Sequence, residues 1–372
     1  MAELLTNTTD LTKVASAIRE KGGTSDSLVY PDGFVMAIQA IQTGAELKII
    51  VSVTSGATVT ATKGSKVVSG TSVDGTCTLT VPEVGTWSVK ATLSGQTSDT
   101  KSVTFTDSYT LSLSFASAVL NDNDWSKIKS VSDAGQGANY WSVGDRKAVT
   151  LNGTVGALTL SNFTTYAFIL GFNHNSSLEG TNRIHFQLAK SALSGGTDVA
   201  LCDSYYSNTD GGFRMNTSQT NSGGWNASNM RKNICGTSLT SYSGTILAVV
   251  PAALRAVLKS VTKYTDNTGN SSAASAVTAT TDYFFLLSEY EVFGAISYGN
   301  TNEKSKQAQY SYYSAGNSKI KYNHGATSKA VNWWLRSPQV NTPYAFVDVN
   351  PNGAVSSYLA SYSFGFAPGF CV

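Results

Sequence analysis

Three histidines, four cysteines and one short acidic run are the residues in this chain whose types could support chemistry. His174 sits in GFNHNSS, His185 in NRIHFQL and His324 in KYNHGAT, three unrelated contexts. General acid–base or nucleophilic catalysis would need partners assembled by the fold, and no GxSxG, HExxH or Cys–His signature is present. Each histidine is therefore expected to be a hydrogen-bonded structural residue. Alternation in NRIHFQL places His185 on one strand face with Arg183 and Gln187. Cys77, Cys202, Cys235 and Cys371 lie far apart and form no CxxC pair, which disfavours zinc and dithiol redox sites. Free buried thiols are expected, with one long-range disulfide in the C-terminal part left open. The run Asn121, Asp122, Asn123 and Asp124 offers oxygen ligands. It lacks the Gly and terminal Glu of an EF-hand, so turn or helix capping is expected. No catalytic residues, metal or cofactor are expected.

The composition limits the partners. Net charge is +2, 13% of 372 residues are charged, and no clustered basic face marks a nucleic-acid footprint. So flat a charge balance provides little electrostatic steering toward a highly charged partner. Eighteen Tyr and 33 Gly, among plentiful Ser, Thr and Asn, fit a contact surface that combines area with adaptable hydrogen bonds. The most apolar segment, Thr245 to Leu258, carries Pro251 and Arg255 and falls short of the ~20 residues of a membrane span. MAELLTNTTDLTKV lacks a basic region followed by an apolar run, so synthesis and folding in a cytoplasm are expected.

The elements that must position these residues fall into three stretches. In residues 1–45, Asp10 can cap a helix whose stripe is Leu11, Val14, Ala15 and Ile18, with Gly22-Gly23 as its stop. A second helix follows Pro31-Asp32-Gly33, with Phe34, Ala37, Ile38 and Ile41 on one face. Helices this short do not stand alone, so the module is expected to dock on the next domain, a partner or copies of itself. Residues 46–115 change to a period of two: Val59/Ala61, Cys77/Leu79/Val81 and Trp87/Val89/Ala91/Leu93 alternate between turns at Gly64, Asp74-Gly75, Pro82 to Gly85 and Ser94-Gly95. About seven short strands predict an immunoglobulin-like or prealbumin-like β-sandwich. Residues 116–372 are irregular, with strands expected at 147–151, 166–172, 183–188 and 283–287 and helical stretches through 226–234 and from Pro251. Such a domain must be held by long buried loops. The fold class expected is mainly β with irregular α+β.

The end of the chain carries the densest pattern. Trp333 and Trp334 are expected in the core, and Arg336 in buried hydrogen bonds to loop carbonyls or a carboxylate. Residues 344–349 alternate, Asn350-Pro351-Asn352-Gly353 turns the chain, and residues 355–359 return as a hairpin. Its outward face is expected to expose Tyr344, Phe346, Asp348, Ser356 and Tyr358. With Gln339, Asn341 and Thr342 of the preceding loop, these are the candidate ligand-binding residues. The aromatic run Tyr298, Tyr310, Tyr312, Tyr313 and Tyr322 is either a buried loop core or a binding platform, with core favoured.

Two segments resemble known families. DLTKVASAIREKGGTSDSLVYPDGFVMAIQAI resembles the N-terminal segment of many phage tail and fibre proteins, of the form DLTxVAxAIRxKGG followed by FPxGFVxAI. That resemblance implies attachment to other virion proteins through residues 1–45. DWSKIKSVSDAG, YWSVGDRKAVTLNG, NRIHFQL, GGWNASNMRKNI, FFLLSEYEVFG, NWWLRSP and GFAPGFCV, in this order, resemble the WWLRSP-type domain of phage and Gram-positive bacterial proteins. It implies a C-type-lectin-like fold over residues 116–372 that is similar to the variable proteins diversified by retroelements. The EPN, QPD and WND motifs of calcium-dependent sugar binding are absent. Together the resemblances imply a tail or head fibre or receptor-binding protein of a bacteriophage virion, made in the host bacterial cytoplasm. Its partner would be a host cell-surface protein or glycan, without nucleic acid or membrane insertion. A fibre role would suggest a homo-oligomer, by analogy a trimer. A purely structural decoration or baseplate protein is the alternative, and an enzyme of lectin-like fold a weaker one.

Overall fold

Two-residue alternation dominates the chain, and its computed structural model is accordingly mainly β, with 36% strand and 22% helix. Residues 8–22, 27–40 and 46–372 are described, and they fall into two units, residues 1–115 and 116–372.

In the first unit, helices α1 (Thr8–Gly22) and α2 (Asp32–Ala40) bury Ala15, Ile18 and Phe34, with Leu11, Leu28 and Ala37 packed against them. Ile38, expected on the same stripe as Phe34, is exposed, as are Val29, Tyr30, Val35 and Met36. Gly23 and Ile41, read as a helix stop and a stripe position, lie outside the described residues.

Eight strands follow: β1 (Lys48–Ser52), β2 (Thr58–Lys63), β3 (Lys66–Thr71), β4 (Thr76–Thr80), β5 (Gly85–Leu93), β6 (Gln96–Thr97), β7 (Lys101–Phe105) and β8 (Tyr109–Ser112). They form one sheet of order β4-β1-β8 and another of order β3-β2-β5-β6, with β7 also pairing β5. The alternate residues of the sequence pattern are the buried ones: Val59, Ala61, Cys77, Leu79, Trp87, Val89 and Ala91 share one core with Val103, Phe105 and Leu111. Asp74-Gly75 and Ser94-Gly95 turn the chain with positive φ at both residues of each pair, the geometry that tight hairpins require.

The second unit opens with helix α3 (Trp125–Asp133), capped by Asp124, whose Oδ1 accepts from Lys127 N at 2.6 Å. Asn121 Oδ1 accepts from Ala148 N, and Asn123 Oδ1 from Ser117 N. Asn121, Asn123 and Asp124 of the acidic run are thus spent on capping and on tying loops. Its largest sheet contains β9 (Arg146–Val155), β10 (Leu158–Phe172), β11 (Ile184–Lys190), β15 (Phe284–Phe285) and β21 (Gly369–Cys371), in the order β15-β21-β11-β10-β9. The last strand therefore lies inside the sheet. Smaller sheets are β12 (Val199–Ala200) with β16 (Lys321–Asn323) and β17 (Ala326–Val331), then β13 (Val261–Asp266) with β14 (Val277–Asp282). The last is β18 (Trp333–Pro338), β19 (Ala345–Val349) and β20 (Val355–Leu359).

Long loops connect these strands, and buried side chains fix them. Asp266 accepts from Thr268 N, Gly269 N and Ser271 N. Glu289 accepts from Ser297 N, Tyr298 N and Gly299 N. Gly224 has φ +53°, and a Cβ there would lie 1.9 Å from Asp266 O, so only glycine lets the GGW turn approach the β13 end. The expected helix from Pro251 is a single turn, Ala252–Arg255. Tyr310 precedes and Tyr312 and Tyr313 lie within a helical turn, Ser311–Ser314, and all three are buried, which replaces the strand parity read from sequence.

Candidate functional site

Two neighbourhoods in the second unit bring together the groups the sequence singled out. The first is a closed polar network centred on β13 and β18. Lys263 and Thr265, two residues apart on β13, share a face of that strand, and Arg336 comes from β18. Glu291 is held in the short helix Glu289–Phe293 by a capping box with Ser288. Lys263 Nζ donates to Glu179 Oε2 at 2.7 Å, Glu291 Oε1 at 2.9 Å and Tyr310 OH at 2.9 Å. The Arg336 fork donates to both Glu291 oxygens, at 2.5 and 2.9 Å, and to Leu286 O and Thr265 Oγ1, each at 2.8 Å. This is the buried carboxylate-and-carbonyl role expected of Arg336.

Burial would raise Glu291, but Arg336 and Lys263 outweigh it and hold the carboxyl well below its ordinary range. Glu179 is pushed up to about 6, chiefly by burial, and Glu303, which accepts from Ser337 Oγ and Asp266 N, up to about 7 for the same reason. His185 Nδ1 lies 3.1 Å from Tyr310 OH and 3.2 Å from Cys371 Sγ, while His174 stacks on Tyr310 at 3.7 Å. Burial depresses both imidazoles, His174 to about 3, so they are neutral at physiological pH.

His174, Glu179 and Glu291 converge closely enough to hold a metal ion. The donor set does not fit one. Lys263 already bridges both carboxylates and Arg336 saturates Glu291, so a divalent ion would meet two cationic side chains at the same oxygens. All these groups are buried, and the network has the character of an internal frame. His324 is likewise structural, its Nδ1 accepting from Cys202 N at 3.1 Å. All four cysteines are free and buried, so the open disulfide is not formed; burial pushes the Cys202 and Cys371 thiols up to about 12.

The second neighbourhood is the surface beyond Arg336. Trp333 and Trp334 are fully buried, and the hairpin expected after them forms, with Phe346 opposite Tyr358 and Asp348 opposite Ser356. Its outward face is smaller than the sequence implied. Phe346 and Asp348 are both 0% exposed, because β19 is the middle strand of its sheet and the returning chain crosses that face. Phe364 packs on Trp334 at 4.8 Å and on Tyr358 at 4.9 Å. What remains at the surface is the outer strand β20, with Tyr358 exposed and Ser356 half-buried, and the loop before β19.

That loop is fastened from beneath. Asn221 Nδ2 lies 2.8 Å from Thr342 O, 2.9 Å from Ala345 O and 3.2 Å from Gln339 O, and Asn221 N donates to Pro343 O. Val340 N donates to Tyr298 O and Asn341 N to Asn270 O. Asn341 itself adopts φ 60°. The result exposes Asn341 and Tyr344 and leaves Gln339 and Thr342 half-buried. Sequence reasoning missed Asn221 and Asn270, which lie far upstream and carry no local signal of this role; Tyr298, expected in the core with the aromatic run, is exposed and holds the loop through its carbonyl. Tyr362 packs edge-on to Tyr358 at 4.9 Å.

Residues 198–372 match the model of a family described as a domain of unknown function (DUF6273). No curated protein and no solved structure matches the chain. The matched stretch contains Lys263, Glu291, Arg336 and the whole 339–362 surface, whereas His174, Glu179 and His185 precede it.

Arg336→Met should lower the stability of the full chain by about 3–5 kcal/mol in denaturant titration, because Glu291 loses its main partner while buried. Pairing it with Glu291→Gln should restore part of that loss. Asp348 gives a pH-dependent test. Its Oδ2 accepts from Asn332 Nδ2 at 2.6 Å, and burial raises it to about 6 against the hydrogen bonds it accepts. A raised carboxyl stabilises the fold while protonated in both states and loses that contribution as pH rises from its ordinary value through about 6. Asp348→Asn should therefore match the parent near pH ~4 and exceed it by about 1–3 kcal/mol near pH ~8; equal stabilities at both would refute the assignment.

Proposed function

We propose that this chain is a virion protein of a bacteriophage, a tail or head fibre or receptor-binding component, that touches a host-surface protein or glycan through the 339–344 loop and β20. In this reading residues 1–45 attach it to other virion proteins, an immunoglobulin-like or prealbumin-like sandwich over 46–115 acts as spacer, and residues 116–372 form a C-type-lectin-like display domain. The observation that carries the reading is the loop at 339–345. Its backbone is fastened by Asn221, Asn270 and Tyr298, yet its Asn341 and Tyr344 side chains face solvent near an outer strand bearing exposed Tyr358. A rigid backbone presenting Tyr, Asn and Ser lowers the entropy lost on binding. The motif resemblances of both ends support the same reading, as does the exposed apolar surface of α2 at Val35, Met36 and Ile38, which suits a helix that docks on a partner.

Binding of purified protein to host cells and to a glycan array tests the display role. Asn341→Gly, which keeps the left-handed backbone, together with Tyr344→Ala should reduce binding at least ~10-fold, the scale of losing an aromatic anchor, without moving the unfolding midpoint. Unchanged binding would remove this surface from the function. Deleting residues 1–45 should abolish incorporation into particles and leave cell binding intact, whereas retained incorporation would exclude that segment as the attachment point.

A further inference from the structure

Buried amines seldom lack a partner, because an unsatisfied one forfeits the hydration it had in water. Lys321, the first residue of β16, is such an amine. Its side chain is fully buried and its Nζ makes no hydrogen bond, lying 4.7 Å from the centre of the Trp333 ring and 5.9 Å from that of Phe168. The facing acceptor is Asp198 Oδ2, 3.9 Å away and itself without a partner. The other oxygen, Oδ1, is hydrogen-bonded by Lys190 Nζ, which also meets Tyr312 OH at 2.6 Å. Backbone pairing fixes this arrangement: β12 runs parallel to β16 with Val199 opposite Tyr322, and Tyr322 N donates to Asp198 O at 2.8 Å.

A lysine in an apolar enclosure beside a second cationic group is activated as a nucleophile. Burial lowers Lys321 to about 8, with Lys190 adding to the effect and Asp198 opposing it, so a sizeable fraction is the free amine at neutral to mildly alkaline pH.

We propose that Lys321 and Asp198 condense into an intramolecular isopeptide bond that covalently joins β16 to the chain entering β12. Lys321 Nζ attacks Asp198 Cγ, a C–N bond forms, and the C–O bond to the oxygen facing Lys190 breaks. That oxygen leaves as water, taking one proton from Lys321 Nζ and one from the Lys190 ammonium, so atoms and charge balance without an oxidant or co-reactant. Lys190, steadied by Tyr312, offsets the negative charge that builds on the carboxyl oxygens in the tetrahedral intermediate. Register holds amine and carboxyl together before reaction, which replaces an encounter with a small local rearrangement. The Trp333 and Phe168 rings then shield the Lys321 end of the bond from the water that would reverse it.

Intact mass measured on the full chain under denaturing, reducing conditions tests this directly. The expected mass lies below the sequence mass by one water, and proteolysis should yield a branched peptide joining the segment around Asp198 to that around Lys321. Lys321→Arg, which keeps the charge and cannot form the amide, should return the full sequence mass, and Lys190→Met should leave unreacted chain in the mixture. A parent protein still at full sequence mass after incubation at mildly alkaline pH would overturn the proposal. So would a water loss that persists in Lys321→Arg.

Discussion

The pairing of Arg336 with Glu291 is the interaction on which the second unit depends. Both groups are wholly buried, and neither could be there alone, since an isolated charge in the interior costs several kcal/mol. Their geometry is bidentate, and each keeps a further partner: Arg336 reaches Leu286 O and Thr265, and Glu291 reaches Lys263 and the capped Ser288 N. The consequence is positional. One strand end, one helical turn and one loop carbonyl are locked to a single guanidinium, in a region where short strands supply little ladder bonding of their own.

The same device recurs outward from that centre. Asp266, Glu289 and Glu303 are each buried and accept from several amide or hydroxyl donors, while buried Asn221 donates to several carbonyls of the 339–345 loop. Polar side chains here do for loops what strand pairing does in a sheet, since every buried backbone group needs a partner. A surface carried by such loops can vary at its exposed side chains while its backbone stays put. Residues 339–345 fit that description: the fastening contacts fall on main-chain atoms, and Asn341 and Tyr344 contribute side chains only to the outside.

Local pattern carried much of this in the sequence. The period-two residues of 46–115 are the core residues, the Asp-Gly and Ser-Gly turns have the backbone they imply, and the hairpin expected over 344–359 forms. The errors arose where an assumption about surroundings replaced pattern. Phe346 and Asp348 are expected in solvent because an alternating strand is usually wet on one face, but all of β19 is buried between β18 and β20, and Phe364 packs on Trp334 and Tyr358 of those two neighbours. Pattern could not show the Lys263–Glu179–Glu291–Arg336 network at all. Its members are spread from residue 179 to 336 and meet only through tertiary folding. Arg336 was legible because tryptophans and a proline flank it, whereas Lys263 looks like any lysine in an alternating strand.

The placement of β21 bears on how the chain is made. Gly369–Cys371 pairs with β11 on one side and β15 on the other, and Val372 exchanges both backbone bonds with Ile184. The largest sheet of the second unit therefore has a gap in its middle until residue 371 has left the ribosome. Residues 116–368 must wait with open strand edges, which are templates for wrong pairing. Closure then joins segments nearly two hundred residues apart, the kind of late, non-local contact that makes folding slow. Each chain thus passes through a vulnerable interval before Gly369–Cys371 pairs, and its length is set by how soon that strand finds its slot.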